Sequence, residues 1–180
     1  MKKLALLFLI IISCKEAKKP LLIDLENCIN ESINFKTFGD EIIKKEIEID
    51  YYNLMKRLEE IYLKSGFLVS ISKESYKSFL KKTDKKKLNK KINKLFDSYE
   101  FSFFVGVDKI LVGCPERVLI AYKDRLDTNL AFQIKKINQL MADGYNNDEL
   151  IDKLIDGTKN FDNIVYRSSI IYLTAIKIGL

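Results

Sequence analysis

The 180-residue chain contains no histidine and no tryptophan, and it has only two prolines, seven glycines and three cysteines. Without histidine there is no Ser–His or Cys–His nucleophile pair, and the commonest general base and metal ligand are missing. Any catalysis would have to run on carboxylates, Lys, Tyr or Cys. The scarcity of Gly and Pro argues against all-β sandwiches and barrels, which need frequent turn residues. There is no glycine-rich phosphate loop, no Ser-nucleophile elbow and no paired-carboxylate signature. The loops also lack the Asp-x-Asp-x-Asp-Gly pattern of a calcium site, so neither metal nor cofactor is expected.

What is present is a globular composition. The chain is 47% hydrophobic and 31% charged, which excludes a disordered or fibrous polymer. Its length suits one domain with a real core and is too short for two comfortable ones. The net charge of +6 aids solubility and says nothing about fold.

The N-terminus carries the most specific motif. Lys2 and Lys3 precede an unbroken apolar run from Leu4 to Ile12, which ends in Ile11-Ile12-Ser13-Cys14 and then turns polar at Lys15. Nine helical residues span roughly 13 Å, far short of a ~30 Å hydrocarbon core, so the run has the length of a signal-peptide core and not of a membrane span. The segment resembles the lipobox signal of bacterial lipoproteins, although Leu is commoner than Ile11 and Gly or Ala commoner than Ser13 at their positions. The resemblance covers about the first 20 residues. It implies cleavage between Ser13 and Cys14, diacylglycerol on the Cys14 sulfur and acylation of the new amino terminus. Together these give a stable extracytoplasmic anchor. Lys15 stands where an Asp would favour inner-membrane retention, so an outer membrane is preferred. The alternative is a buried N-terminal helix with Cys14 as a core thiol.

Lipidation of Cys14 leaves Cys28 and Cys114, and an even remainder in an oxidising compartment invites a disulfide closing a long loop. Two other readings stand beside it. Both thiols could be buried and unpaired. Alternatively, Gly113-Cys114-Pro115-Glu116 places Pro115 at a first helical position and Cys114 at the N-cap, where a thiol becomes more acidic and could act as a redox nucleophile.

The apolar periodicity of the mature chain predicts mainly α structure: a compact helical bundle of five to seven helices. In this reading residues 1–13 are the signal peptide, 14–20 a lipidated tether and 21–180 a single helical domain. One helix is predicted from Leu21 to about Asn34, with a break over Phe35–Gly39. A long helix then runs from an Asp40 N-cap to Gly66, with Ile43, Ile47, Tyr51, Leu54, Leu58, Ile61 and Tyr62 as its stripe. Residues 67–72 could be a short strand or an extended connection, and Ser72 can cap the helix that follows. After a lysine-rich hinge, a further helix carries Leu88, Ile92 and Leu95 on one face. Residues 101–112 fit a buried helix, irregular structure or a short β-hairpin. Pro115–Ala142 is predicted as one long helix. A short helix follows, opened by an Asn146–Glu149 capping box, and 160–178 is a central helix with a strand as the alternative.

Ten lysines lie between residues 73 and 94 against Glu74 and Asp84; Lys81, Lys82, Lys85, Lys86, Lys87, Lys90, Lys91 and Lys94 form the candidate basic patch. Behind a lipoprotein signal such a patch suits an acidic protein partner or anionic lipid better than nucleic acid. The plainer reading is the solvated face of two Lys-rich helices, since the chain has only four Arg, the residue suited to bidentate phosphate contacts. Residues 143–162 are acidic in balance, with Asp152 and Asp156 one helical turn apart. Asp40–Glu41 and Glu59–Glu60 are expected to be helix-start and surface charges. The sequence therefore favours a non-catalytic envelope lipoprotein that binds a protein partner, as an immunity-type protein or accessory subunit. The alternative is a redox or hydrolytic enzyme using Cys114 or carboxylates.

Overall fold

A computed structural model describes residues 20–39, 48–81, 106–122 and 127–177. Among them the chain is all-α, with seven helices and no strand. These are α1 (Pro20–Phe38), α2 (Tyr51–Lys64), α3 (Lys73–Lys81), α4 (Val107–Ala121), α5 (Thr128–Ala142), α6 (Asp148–Gly157) and α7 (Ile164–Lys177). Helix α1 packs against α2 and α4, α4 against α5, α5 against α6, α6 against α3 and α2 against α7. The buried apolar side chains form one continuous core.

Helix α7 is the most enclosed element. Every residue from Val165 to Ala175 is buried, which settles 164–177 as helix and explains why its sequence is apolar on nearly all faces. It is entered through a turn with Asn160 at φ 51°, and Asn163 Oδ1 accepts the Val165 N–H. In α2 the buried stripe includes Tyr51, Leu54, Leu58, Ile61 and Tyr62, the helical spacing seen in the sequence.

Several boundaries differ from the sequence expectation. Helix α1 does not break at Phe35 but continues to Phe38, and it ends where Gly39 takes a left-handed φ of 55°. No single helix runs from Asp40 to Gly66. Asp50 is the N-cap of α2, its carboxylate accepting the Asn53 N–H, and Ile43 and Ile47 lie outside the described residues. The reason is tertiary. Buried Asn34 on α1 donates Nδ2 to Ile49 O at 2.8 Å, and its Oδ1 accepts Ile49 N–H at 2.8 Å. Asn30 Oδ1 accepts Tyr51 N–H as well. Two α1 side chains thus hold the approach to α2 in a non-helical conformation.

The expectation for Pro115 is overturned. Helix α4 begins at Val107 after Gly106, so Pro115 and Cys114 lie inside it, Cys114 is no N-cap, and residues 107–112 are not a hairpin. An interior proline costs a helix about 3 kcal/mol, and the burial of both Pro115 and Cys114 acts against that cost. Residues 101–105 lie outside the described residues. The single helix expected over 115–142 is two, since α5 starts afresh at Asp127, whose carboxylate accepts the N–H groups of Asn129 and Leu130. Asn147, not Asn146, caps α6 through the Leu150 N–H, and Glu149 pairs with Lys153 instead of closing a box. Residues 67–72 are a bent, irregular connection and not a strand; Leu68 is buried, and Ser75 Oγ accepts Val69 N–H. Ser72 does cap α3, accepting Ser75 N–H.

Candidate functional site

The arrangement with the clearest chemistry joins α1 to α4. Cys28 on α1 and Cys114 on α4 have their sulfurs at bonding distance and their Cα atoms 5.7 Å apart, across 86 residues of sequence. This is the disulfide geometry, and it replaces the unpaired-thiol readings. Cys114 is fully buried, whereas Cys28 is partly exposed. Arg117, one turn beyond Cys114, lies over the bond: Nη2 is 3.2 Å from Cys28 Sγ, 3.3 Å from Cys114 Sγ and 3.4 Å from Ser32 Oγ. Its Nε donates to Gly113 O, and Ser32 Oγ stands 3.5 Å from Cys114 Sγ. The Arg117 signal was present in the sequence as an i+3 neighbour of Cys114, which faces the same way on a helix.

A second polar cluster lies in the core. Arg167 on α7 donates Nε and Nη2 to the two carboxylate oxygens of Glu59 on α2, and Tyr76 of α3 donates its hydroxyl to Glu59 Oε1 at 2.5 Å. Arg167 also donates to Phe161 O. Glu59 is thus no surface charge. Its position between Met55 and Tyr62 on the buried stripe, and the lone Arg167 in the most apolar helix, are the signals that could have revealed the pair. Burial, reinforced by the Glu59 carboxylate, pushes the Tyr76 phenol far above its ordinary range.

Phenol-to-carboxylate bonds recur across the fold. Tyr122 donates to Asp24, Tyr145 to Asp108 and Tyr166 to Asp127, at 2.5–2.6 Å. Each joins residues distant in sequence, and each engages a carboxylate in structure.

Of the basic patch, Lys81 is exposed at the end of α3, while Lys82, Lys85, Lys86, Lys87, Lys90, Lys91 and Lys94 lie outside the described residues. The lysines before them face an internal acid. Lys77 Nζ pairs with the Asp156 carboxylate at 2.5 Å, and Lys73 Nζ donates to Asp156 O, both across the α3–α6 contact. Asp156 therefore turns to α3. Among the described residues no group of three or more His, Cys, Asp or Glu side chains could hold a metal ion.

The described residues also line two concavities. One is a core cavity of about 20 Å³ between α1, α2, α4, α5 and α7, room for a water and for no organic cofactor. The other is an open surface cleft between α5 and α6, of about 410 Å³. Its polar groups are engaged locally: Lys153 with Glu149, Lys136 with Gln139 and Asn147 with Asp143. No described helix is long and apolar enough to cross a membrane. Cys14 lies outside the described residues. The fold and its cross-link define a disulfide-bonded, all-α domain. The chain matches no protein-family model, no curated protein and no solved structure.

Proposed function

We propose that the protein is an extracytoplasmic, lipid-anchored binding module of a bacterial envelope, held to the membrane through Cys14 and acting without catalysis on a protein partner. The observation that carries the reading is the N-terminal sequence Lys2-Lys3, Leu4–Ile12, Ser13-Cys14 followed by a polar tether. The paired geometry of Cys28 and Cys114 supports it, because disulfides form and persist in oxidising compartments. The engagement of Glu59, Asp24, Asp108 and Asp127 by tyrosines supports a structural role for those acids. The lysine-rich segment from Lys81 to Lys94 carries the charge suited to an acidic partner or to anionic headgroups.

The test is metabolic labelling with palmitate together with membrane fractionation. Wild-type protein takes up label and sediments with membranes, whereas Cys14→Ala gives an uncleaved or soluble, unlabelled product. Absence of label in the wild type refutes the anchor. Mass spectrometry of proteins copurifying with the anchored form then identifies the partner.

A further inference from the structure

We propose that the Cys28–Cys114 bond is a thiol–disulfide exchange site, entered by an incoming thiolate at Cys28 Sγ while Arg117 and Ser32 hold the departing Cys114 sulfur. The partner is a dithiol, small or carried by a protein, and the proposal stands independently of the lipid anchor.

Access selects the sulfur that is attacked first. Cys114 is fully enclosed and Cys28 is not, so an attacking sulfur reaches only Cys28. The second element is the charge placed over the bond. Arg117 is an exposed residue whose guanidinium lies across both sulfurs, and among the described residues no carboxylate pairs with it. A neutral disulfide gains little from a cation at 3.2–3.3 Å. A thiolate in the same place gains a charge-assisted hydrogen bond. Arg117 is therefore complementary to the reduced, ionised state. The third element is the fate of the leaving group. A buried thiolate is disfavoured unless charge and hydrogen-bond donors meet it. Arg117 Nη2 at 3.3 Å and the Ser32 hydroxyl at 3.5 Å supply both at Cys114 Sγ.

The chemistry balances. A partner thiolate bonds to Cys28 Sγ, and the electron pair of the broken Cys28–Cys114 bond leaves on Cys114 Sγ. The partner's second thiolate then attacks its own sulfur in the mixed disulfide, releasing Cys28 as a thiolate. Two electrons have passed to the protein, and the partner departs as a disulfide. The more acidic the leaving thiol, the faster each step runs. Leu25 and Ile29 of α1 and Leu111 and Pro115 of α4 border one shared core region, an apolar contact between the helices that does not run through the bond.

The experiment treats folded mature protein with reduced glutathione and with dithiothreitol, without denaturant, followed by acid quench, alkylation and mass mapping. Native protein is expected to be reduced while its circular dichroism stays unchanged, with the first glutathione adduct on Cys28. Arg117→Gln is expected to slow exchange about tenfold and Arg117→Lys to restore most of it. In Cys114→Ser protein, the pH midpoint for alkylation of Cys28 is expected below the ordinary thiol value of about 8.5. This measurement needs no Arg117 variant to fold. A bond that yields only on unfolding, a first adduct on Cys114, an Arg117→Gln rate equal to wild type, or a Cys28 midpoint at or above the ordinary value each overturns the proposal.

Discussion

Arg167 and Glu59 are 108 residues apart in sequence and meet in the core through two hydrogen bonds, at 2.7 and 3.0 Å. They join α7 to α2, and Tyr76 and the Phe161 carbonyl occupy further hydrogen-bonding positions around them. Both side chains are almost fully buried, so solvent screens the pair little. The attraction is opposed by the cost of removing two charges from water, so the intact pair adds little net stability beyond what apolar side chains of similar size would give.

Removing one partner is expected to be far worse than removing both. Arg167→Met or Glu59→Leu alone strands a buried charge and should cost about 3–5 kcal/mol. The double variant should recover a large part of that loss. Urea denaturation of the three variants measures it, and strictly additive losses would show that the side chains do not act as a pair.

Alkali should unfold this protein cooperatively. Tyr52 and Tyr62 bury hydroxyls that have no partner among the described residues, and burial drives both phenols well above their ordinary value. Tyr145 and Tyr166 are raised as well, first by burial and then by Asp108 and Asp127 respectively. Folded values above unfolded ones mean that the contribution is complete below about pH 10, the value for a free phenol. It is lost as pH rises toward the folded values. Ultraviolet titration should show these phenols silent past pH 10 and then ionising together with loss of helical circular dichroism. Gradual ionisation with the helices intact would contradict the burial argument.

Gly157 closes α6 under the ring of Phe132 from α5, and a Cβ at this position would overlap that ring. In an unobstructed helix, Gly→Ala stabilises by about 0.5–1 kcal/mol. Here the overlap should reverse the sign, and Gly157→Ala should destabilise by about 1–3 kcal/mol. Gly157→Ala with Phe132→Leu, which removes the ring, should recover part of the loss. Thermal melts of both variants check this.

Substituting Lys85, Lys86, Lys90 and Lys91 with Gln separates a docking surface from a solvated face. On a solvated face the change should hardly alter stability, because surface charge pairs contribute about 0–1 kcal/mol each. Association with anionic vesicles or with a copurifying acidic partner should weaken in the variant. In the wild type it should weaken as salt shortens screening below about 8 Å. Binding indifferent to both changes would assign these lysines to solvation alone.

The helical character of the chain was legible in its sequence because it rests on local terms. Stripes such as Leu54, Leu58, Ile61 and Tyr62 need only the 3.6-residue period, and the Ser72 cap needs only its own next three residues. The redox reading of Cys114 used an equally local rule, proline at a first helical position. That rule gave way because enclosure in the core overrides the local preference of Pro115. Contacts between distant segments decided the remaining features. Helix α2 starts at Tyr51 because Asn34 and Asn30 hold its approach. Glu59 is interior because Arg167 meets it from the last helix. Cys28 faces Cys114, and Arg117 lies over both, because α1 packs on α4. Periodicity shows which face of a helix is apolar, but the partner for that face is chosen by how the helices pack together.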